Sequence, residues 1–149
     1  MTTIAANNNS IACDLQFSHS SGLKFKGASK IIELKADLAR SMFQTEKAFI
    51  GFCGNADIWG DVVSWLSVPE GKPPKLKNIE LLLLTGNRQI YHGTSLTNWL
   101  KLDVKHFAIG SGSHLAMGAM EVGKTPVEAI KAAAKHDPMT GMGYKEYSI

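Results

Sequence analysis

The chain opens with the stretch MTTIAANNNSIACDLQF (residues 1–17), which decides how the fold begins. Thr3 to Ala6 and Ser10 to Phe17 have the composition and length of short strands, and the asparagines between them tolerate turn conformations. The stretch therefore predicts an N-terminal β-hairpin. Thr2, with its hydroxyl, precedes the first strand of this hairpin, and Asp14, with its carboxylate, lies on the second strand.

The remaining hydrophobic patterns alternate between strands and helices. Asn55 can cap one helix, and Thr125 to Glu128 form a capping box with proline at the first helical position. The segment around Ala36 to Thr45 is polar and is predicted to separate two strands. This order, with hairpins in place of parallel crossovers, predicts an α+β layered domain that spans residues 1–149 as one unit. Further strands are predicted at residues 30–34, 47–53, 80–85, 89–92, 107–109 and 142–149. Helices are predicted at 56–66, from after residue 113 to near residue 123, and from 126.

Length, composition and charge exclude several classes of function. The 149 residues include 44% hydrophobic and 19% charged residues, as in ordinary globular domains. Sixteen basic residues give a net charge of only +3 and form no dense run, which argues against a nucleic-acid partner. No apolar run approaches the roughly 20 residues of a membrane helix, so we expect a cytoplasmic protein without a membrane partner. Histidines and cysteines lack metal-ligand spacing, and no cofactor is predicted.

Thr2 is a candidate nucleophile because it could supply both groups that the chemistry needs. A threonine hydroxyl is a poor nucleophile until a base removes its proton. The α-amine of the same residue, with an ordinary pKa of about 8, can serve as that base when it is free. Methionine is normally removed before a small residue, so loss of Met1 would expose this amine.

A buried lysine and a carboxylate, the residue types of Lys30 and Asp14, could assist such a nucleophile. A buried lysine beside the nucleophile lowers the pKa of the hydroxyl, and a carboxylate beside the lysine keeps it charged. Lys26 is an alternative by residue type. The apolar pattern that follows Lys30 favours Lys30 as the lysine of a buried strand.

Several segments resemble, in the same order, those of proteasome β-subunits and the bacterial HslV peptidase. Each segment alone is weak, but their collinearity is specific. The resemblance implies an N-terminal nucleophile hydrolase with the αββα four-layer sandwich of that superfamily. The segments that carry it cover residues 2–4, 11–14, 30–34, 48–57, 110–121 and 137–141.

The resemblance also implies roles for individual residues. In the family, an acidic residue and a lysine complete the group around the threonine, at positions that match Asp14 and Lys30. A glycine N–H stabilises the oxyanion, and it matches Gly51. Two hydroxyls and an aspartate stabilise the threonine amine and its proton transfer, and the matching residues are Ser111, Asp137 and Thr140.

The chain also departs from the family pattern. Family members have a second long helix after the one predicted at residues 56–66, and only a short segment stands there in this sequence. One outer-layer helix is therefore expected to be missing, which affects the face on which family rings stack. Phe49 falls where the family shapes its specificity pocket, which favours a modest or apolar substrate side chain.

These observations predict a threonine endopeptidase that acts on peptides or unfolded proteins. The expected assembly is a homo-oligomeric ring, and the resemblance implies an unfolding ATPase as a further partner. Two alternatives stay open at this point. One is a non-catalytic assembly or binding protein with the same fold, and the other is an amidase of small molecules.

Overall fold

A computed structural model describes residues 2–149. Eleven strands and four helices follow one another in this part of the chain. The strands are β1 (Thr3–Asn7), β2 (Ser10–Asp14), β3 (Gln16–Ser18), β4 (Lys24–Lys26), β5 (Ile31–Glu33), β6 (Ala48–Gly54), β7 (Ile79–Thr85), β8 (Ile90–Gly93), β9 (Trp99–Leu102), β10 (His106–Gly110) and β11 (Tyr144–Ser148). The helices are α1 (Ala36–Phe43), α2 (Ala56–Ser67), α3 (Ser113–Glu121) and α4 (Pro126–Ala134).

The strands form two large antiparallel sheets and one small hairpin. The four-stranded sheet has the order β10-β1-β2-β11, and the five-stranded sheet has the order β5-β6-β7-β8-β9. Strands β3 and β4 pair only with each other. The predicted N-terminal hairpin is present, with Ala5 opposite Ala12, and β1 lies in the middle of its sheet because β10 pairs with its other side.

The two sheets pack face to face, and helices cover both outer faces. Large apolar side chains fill the space between the sheets, with Ile4 and Ile109 from one sheet and Leu82 and Leu84 from the other. Helices α3 and α4 pack on the four-stranded sheet, whereas α1 and α2 pack on the five-stranded sheet. The predicted αββα four-layer sandwich is therefore confirmed.

Helix α1 corrects the prediction for residues 36–45, which the sequence assigned to a polar connection. Ala39 and Phe43 are buried in the same cluster as Val62 and Leu66 of α2. The helix has no side-chain N-cap and only eight residues, so its local signal is weak. Strands β4 and β9 were also not predicted. Between α2 and β7 the described chain contains no helix, as expected, but α1 takes a place on that same outer face.

The helix boundaries that sequence could predict depend on capping residues. The side chain of Asn55 accepts a hydrogen bond from the backbone N–H of Asp57 at the start of α2. At α4, Thr125 and Glu128 form the predicted reciprocal capping box, with Pro126 inside the first turn. No helix within residues 2–149 is long and apolar enough to cross a membrane.

Candidate active site

Thr2 lies immediately before β1, at the end of the strand that pairs with β10 and β2. Its side chain is 3% exposed. The backbone N–H of Ser111 donates to the Thr2 carbonyl oxygen at 2.8 Å, which fixes the residue to the loop after β10. The Thr2 hydroxyl donates to Asp14 and accepts a hydrogen bond from Lys30. The structure thus brings three predicted residues from three separate chain segments into direct contact.

Asp14 is fully buried and is held by several donors besides Thr2. Its Oδ1 accepts from the backbone N–H of Thr3 at 3.0 Å and forms an ion pair with Lys30 Nζ at 2.9 Å. Its Oδ2 accepts from the backbone N–H groups of Gln16 at 3.3 Å and Gly141 at 3.1 Å. These donors fix the position of the buried carboxylate beside Thr2 and Lys30.

Lys30 is 2% exposed and directs all its donors into the group. Besides the contacts with Thr2 and Asp14, its Nζ donates to the carbonyl oxygen of Gln16 at 2.6 Å. Burial lowers the pKa of Lys30, and the charge of Asp14 opposes this effect. The alternative lysine, Lys26, is an exposed residue of β4 and does not join the group.

A second polar network lies on the other side of Thr2. The hydroxyls of Ser111 and Thr140 each donate to Asp137 Oδ2 at 2.6 Å. Burial raises the pKa of Asp137, but these hydrogen bonds and that from the Met139 N–H outweigh it, so the pKa lies below its ordinary value. Ser111 therefore contacts Asp137 across 26 positions of sequence, and Thr140 contacts it within one turn.

Thr3 joins the second network to β1, and sequence reasoning did not single it out. Its hydroxyl lies 2.6 Å from the Thr140 hydroxyl, and its backbone N–H donates to Asp14. Thr3 is thus hydrogen-bonded to both polar networks. Only its place next to Thr2 in the sequence could have pointed to it.

Two predicted positions lie away from this group. Gly51 is inside β6, paired with Ile31 and Leu82, and its Cα faces Ile4 of the opposite sheet. The Phe52 N–H donates to the Lys30 carbonyl, so the alternation of the strand turns the Gly51 N–H toward β7. The structure does not bring Gly51 to the Thr2 hydroxyl.

Phe49 is likewise absent from the cavity beside Thr2. It is buried between the two sheets, with its ring centroid 5.2 Å from that of Tyr147. The prediction that Phe49 shapes a specificity pocket is therefore wrong, because the inner face of β6 at this position belongs to the core.

A cavity of about 430 Å³ opens beside Thr2 and Lys30. The β3–β4 hairpin forms one wall, with Phe17 and Phe25, and the end of β6 forms the other. Among residues 2–149, no three His, Cys, Asp or Glu side chains are close enough together to hold a metal ion. The cavity is thus a cleft with the candidate nucleophile at its floor and aromatic side chains on one wall.

Gly54 is the backbone group of this cavity that sequence reasoning missed. Strand alternation turns its N–H to the same side as that of Phe52, which faces Lys30, and no acceptor for it lies among residues 2–149. Its φ is +120°, and a Cβ atom there would collide with the carbonyl oxygen of Asn78. Glycine at this position thus permits a turn that leaves one N–H free beside the cavity.

Comparisons with known proteins establish the fold. No protein-family profile and no curated protein matches the chain by sequence. Solved structures do match. BPH from Thiobacillus denitrificans, solved in complex with epoxomicin, is 16% identical, with 99% of this chain and 97% of that chain covered and a TM-score of 0.66.

Two further structures give the same result. HslV from Trypanosoma brucei is 14% identical over 98% of each chain, with a TM-score of 0.67. The Anbu (Gly-1) mutant from Hyphomicrobium sp. strain MC1 is 10% identical, covers 100% of this chain and 82% of that chain, and has a TM-score of 0.74. The chain therefore has the fold of proteasome-like N-terminal nucleophile hydrolases, as the resemblance predicted.

Proposed function

We propose that this protein is a threonine peptidase in which Thr2 becomes the N-terminal nucleophile after Met1 is removed. The observation that carries the proposal is the buried contact of Thr2 with Asp14 and Lys30 at the floor of a cleft. Met1 lies outside the described residues. Its removal leaves a free α-amine on the same residue as the hydroxyl.

The first step forms an ester between Thr2 and the substrate. The Thr2 oxygen attacks the carbonyl carbon, and its proton passes to the free α-amine. The Lys30 ammonium donates to the same oxygen, which lowers the cost of its developing negative charge. Asp14 holds Lys30 in place and keeps it charged. The protonated α-amine then gives its proton to the leaving amine as the peptide bond breaks.

The second step returns the enzyme to its starting state. The α-amine takes a proton from a water molecule, whose oxygen attacks the ester carbon. The amine then returns this proton to the Thr2 oxygen as the ester bond breaks and the second product leaves. The Ser111 N–H holds the Thr2 carbonyl, and Asp137 holds the Ser111 hydroxyl at 2.6 Å. These contacts support a positioning role for the second network, close to the amine that carries the proton.

The tetrahedral intermediate needs a hydrogen-bond donor for its oxyanion. The resemblance assigns this role to the N–H of Gly51, but the strand geometry directs that group toward β7. The Gly54 N–H is free within the described chain and lines the cavity. We therefore place the oxyanion donor at Gly54.

An amidase of small molecules is a second candidate, and the size of the cleft favours it. A cavity of about 430 Å³ lies within the range of roughly 300–1,000 Å³ typical of small-molecule sites. The chemistry on Thr2 would be the same. Turnover of small amides compared with peptides, by the same preparation, separates the two.

Assembly into a homo-oligomer is part of the proposal. Leu115 of α3 and Val122, directly after its last residue, are 40% and 77% exposed, and exposed apolar side chains are available for contact between subunits. Light scattering of the purified protein would show the number of subunits. The unfolding ATPase stays a prediction of the resemblance.

The test combines intact mass with peptide turnover. We expect the purified protein to begin at Thr2 and to cleave fluorogenic peptides. Thr2→Ala should lower kcat/KM by at least about a thousandfold, whereas Thr2→Ser should retain measurable turnover because it keeps a hydroxyl. Alanine and serine are also small, so Met1 is removed equally in all three. Retained activity in Thr2→Ala would show that Thr2 is not the nucleophile, whereas a fully processed but inactive wild type would support the non-catalytic alternative.

A further inference from the structure

The aromatic ring of Phe17 lies against the ammonium group of Lys30. The distance from Lys30 Nζ to the ring centroid is 4.9 Å, within the range of a cation–π interaction. We propose that Phe17 is a positioning residue, whose ring face holds the Lys30 ammonium in its charged form and directs it at the Thr2 hydroxyl.

The hydrogen bonds of Lys30 leave no N–H group of its ammonium for a further acceptor. An ammonium has three N–H groups, and in this structure they donate to Thr2, Asp14 and the Gln16 carbonyl. The face of the Phe17 ring carries partial negative charge and attracts the cation without needing a donor. The ring thus adds attraction where no further hydrogen bond is available.

The position of the ring is fixed by its surroundings. A Cβ atom at residue 27 would collide with the Phe17 ring, so Gly27 provides the space in which the ring lies. On β4, Phe25 stacks on Phe17 with ring centroids 5.8 Å apart and an interplanar angle of 11°. The β3–β4 hairpin therefore places the Phe17 ring at a defined point beside Lys30.

The charges around Lys30 explain why the ring matters. Asp14 is the anion that pairs with Lys30, and its Oδ1 is shared with the Thr2 hydroxyl and the Thr3 N–H. The Cys13 and Cys53 thiols also face Lys30, but burial raises the pKa of both, for Cys53 to about 12, so they stay neutral. One shared carboxylate thus opposes the burial of the lysine, and the Phe17 ring assists it.

Nitrogen NMR tests this inference without any assumption about activity. The Lys30 side-chain ¹⁵N resonance, titrated in wild type and in Phe17→Leu, should show a pKa lower by roughly half to one pH unit in the variant. Phe17→Tyr keeps the ring and should match wild type. Phe25→Leu removes the stacking partner but not the ring beside Lys30, and should shift the pKa by much less. If Phe17→Leu does not fold, Phe17→Met replaces it.

An unchanged or higher Lys30 pKa in Phe17→Leu, or an equal shift in Phe25→Leu, would overturn the proposal. A kinetic readout, which does rest on the proposed function, follows from the same variants. The high-pH limb of kcat/KM should move to lower pH in Phe17→Leu and not in Phe17→Tyr. If the NMR shift is present but no variant or wild type hydrolyses peptides, the proposed function fails while the role of Phe17 stands.

Discussion

The two helical layers of the sandwich cover their sheets with different kinds of side chain. Helices α3 and α4 pack on the four-stranded sheet mainly through small residues, which are Ala5, Ala12, Ala108, Ala116 and Ala129. Helices α1 and α2 pack on the five-stranded sheet through a cluster rich in aromatic residues, which includes Phe43, Phe52, Trp59, Trp65, Tyr91 and Trp99. Small residues demand a fixed close approach, whereas an aromatic layer can be assembled from different segments of the chain.

The two layers also cover different parts of the candidate site. Strands β1, β2 and β10 lie under the small-residue layer, and they position Thr2, Asp14 and the loop with Ser111. The aromatic layer covers the sheet that supplies Lys30 and the end of β6, and it contains residues of both α1 and α2. We infer that the small-residue layer protects the geometry of the site, whereas the aromatic layer mainly supplies stability.

The largest expected effect is on the aromatic side. Phe43→Ala removes a ring that contacts Tyr91 and Trp99, with centroids 5.2 and 5.5 Å away, and should cost about 3–5 kcal/mol of unfolding free energy. Denaturant unfolding measures this loss. The control, Leu100→Ala, removes a side chain that is 64% exposed and should cost less than about 0.5 kcal/mol. A changed kcat in folded Phe43→Ala would contradict the division between the layers.

The next effect is on the small-residue side. Ala129→Leu inserts three carbons where α4 packs against β1 and β2, and should cost about 1–3 kcal/mol. Because these strands carry Thr2 and Asp14, kcat should fall as well. Ala134→Leu on the same helix is exposed and serves as the matched control for both stability and turnover. If Ala129→Leu lowers the free energy of unfolding but leaves kcat unchanged, the small-residue layer does not determine the positions of Thr2 and Asp14.

A smaller effect is expected at the start of α4. Thr125→Ala removes the side chain that accepts the Glu128 N–H, and should cost about 1 kcal/mol. Thr125→Ser keeps the oxygen and should stay near wild type in thermal unfolding. Equal losses in both variants would mean that the methyl group, and not the cap, accounts for the effect.

The smallest effect concerns the pH dependence of the second network. The pKa of Asp137 lies below its ordinary value of 3.8, so its hydrogen bonds to Ser111 and Thr140 stabilise the fold above that pH. This contribution should be lost as the pH falls through the lower folded pKa. The free energy of unfolding of wild type and of Asp137→Asn is compared from roughly pH 2 to roughly pH 6. The difference between the two proteins should shrink toward the acidic end. A difference that grows there would contradict the direction of the shift.

The sequence was most informative where the local signal is strong. The capping box at Thr125 and the Asn55 cap predicted where α4 and α2 begin, because those hydrogen bonds form within one turn. Helix α1 lacks such a cap and is stabilised by burial of Ala39 and Phe43 against distant segments, so local pattern did not predict it. Strand β9 has mostly exposed or half-buried side chains and gives no clear alternation.

The candidate site divides in the same way. The resemblance predicted Thr2, Asp14 and Lys30 as partners, and the structure places them in contact. The resemblance pointed to Gly51 as the oxyanion donor, but the side to which a backbone N–H points depends on strand register, which the sequence does not define. The contact between Phe17 and Lys30 depends on the pairing of β3 with β4, and β4 was not predicted.

The nucleophile itself is tested most directly by covalent labelling. Purified protein is incubated with a threonine-directed electrophile, and mass spectrometry identifies the modified peptide and its first residue. We predict one adduct per chain, at Thr2 in a peptide that lacks Met1, and no adduct in Thr2→Ala. A chain that retains Met1 and carries no adduct at Thr2 would contradict the assignment of Thr2 as the nucleophile.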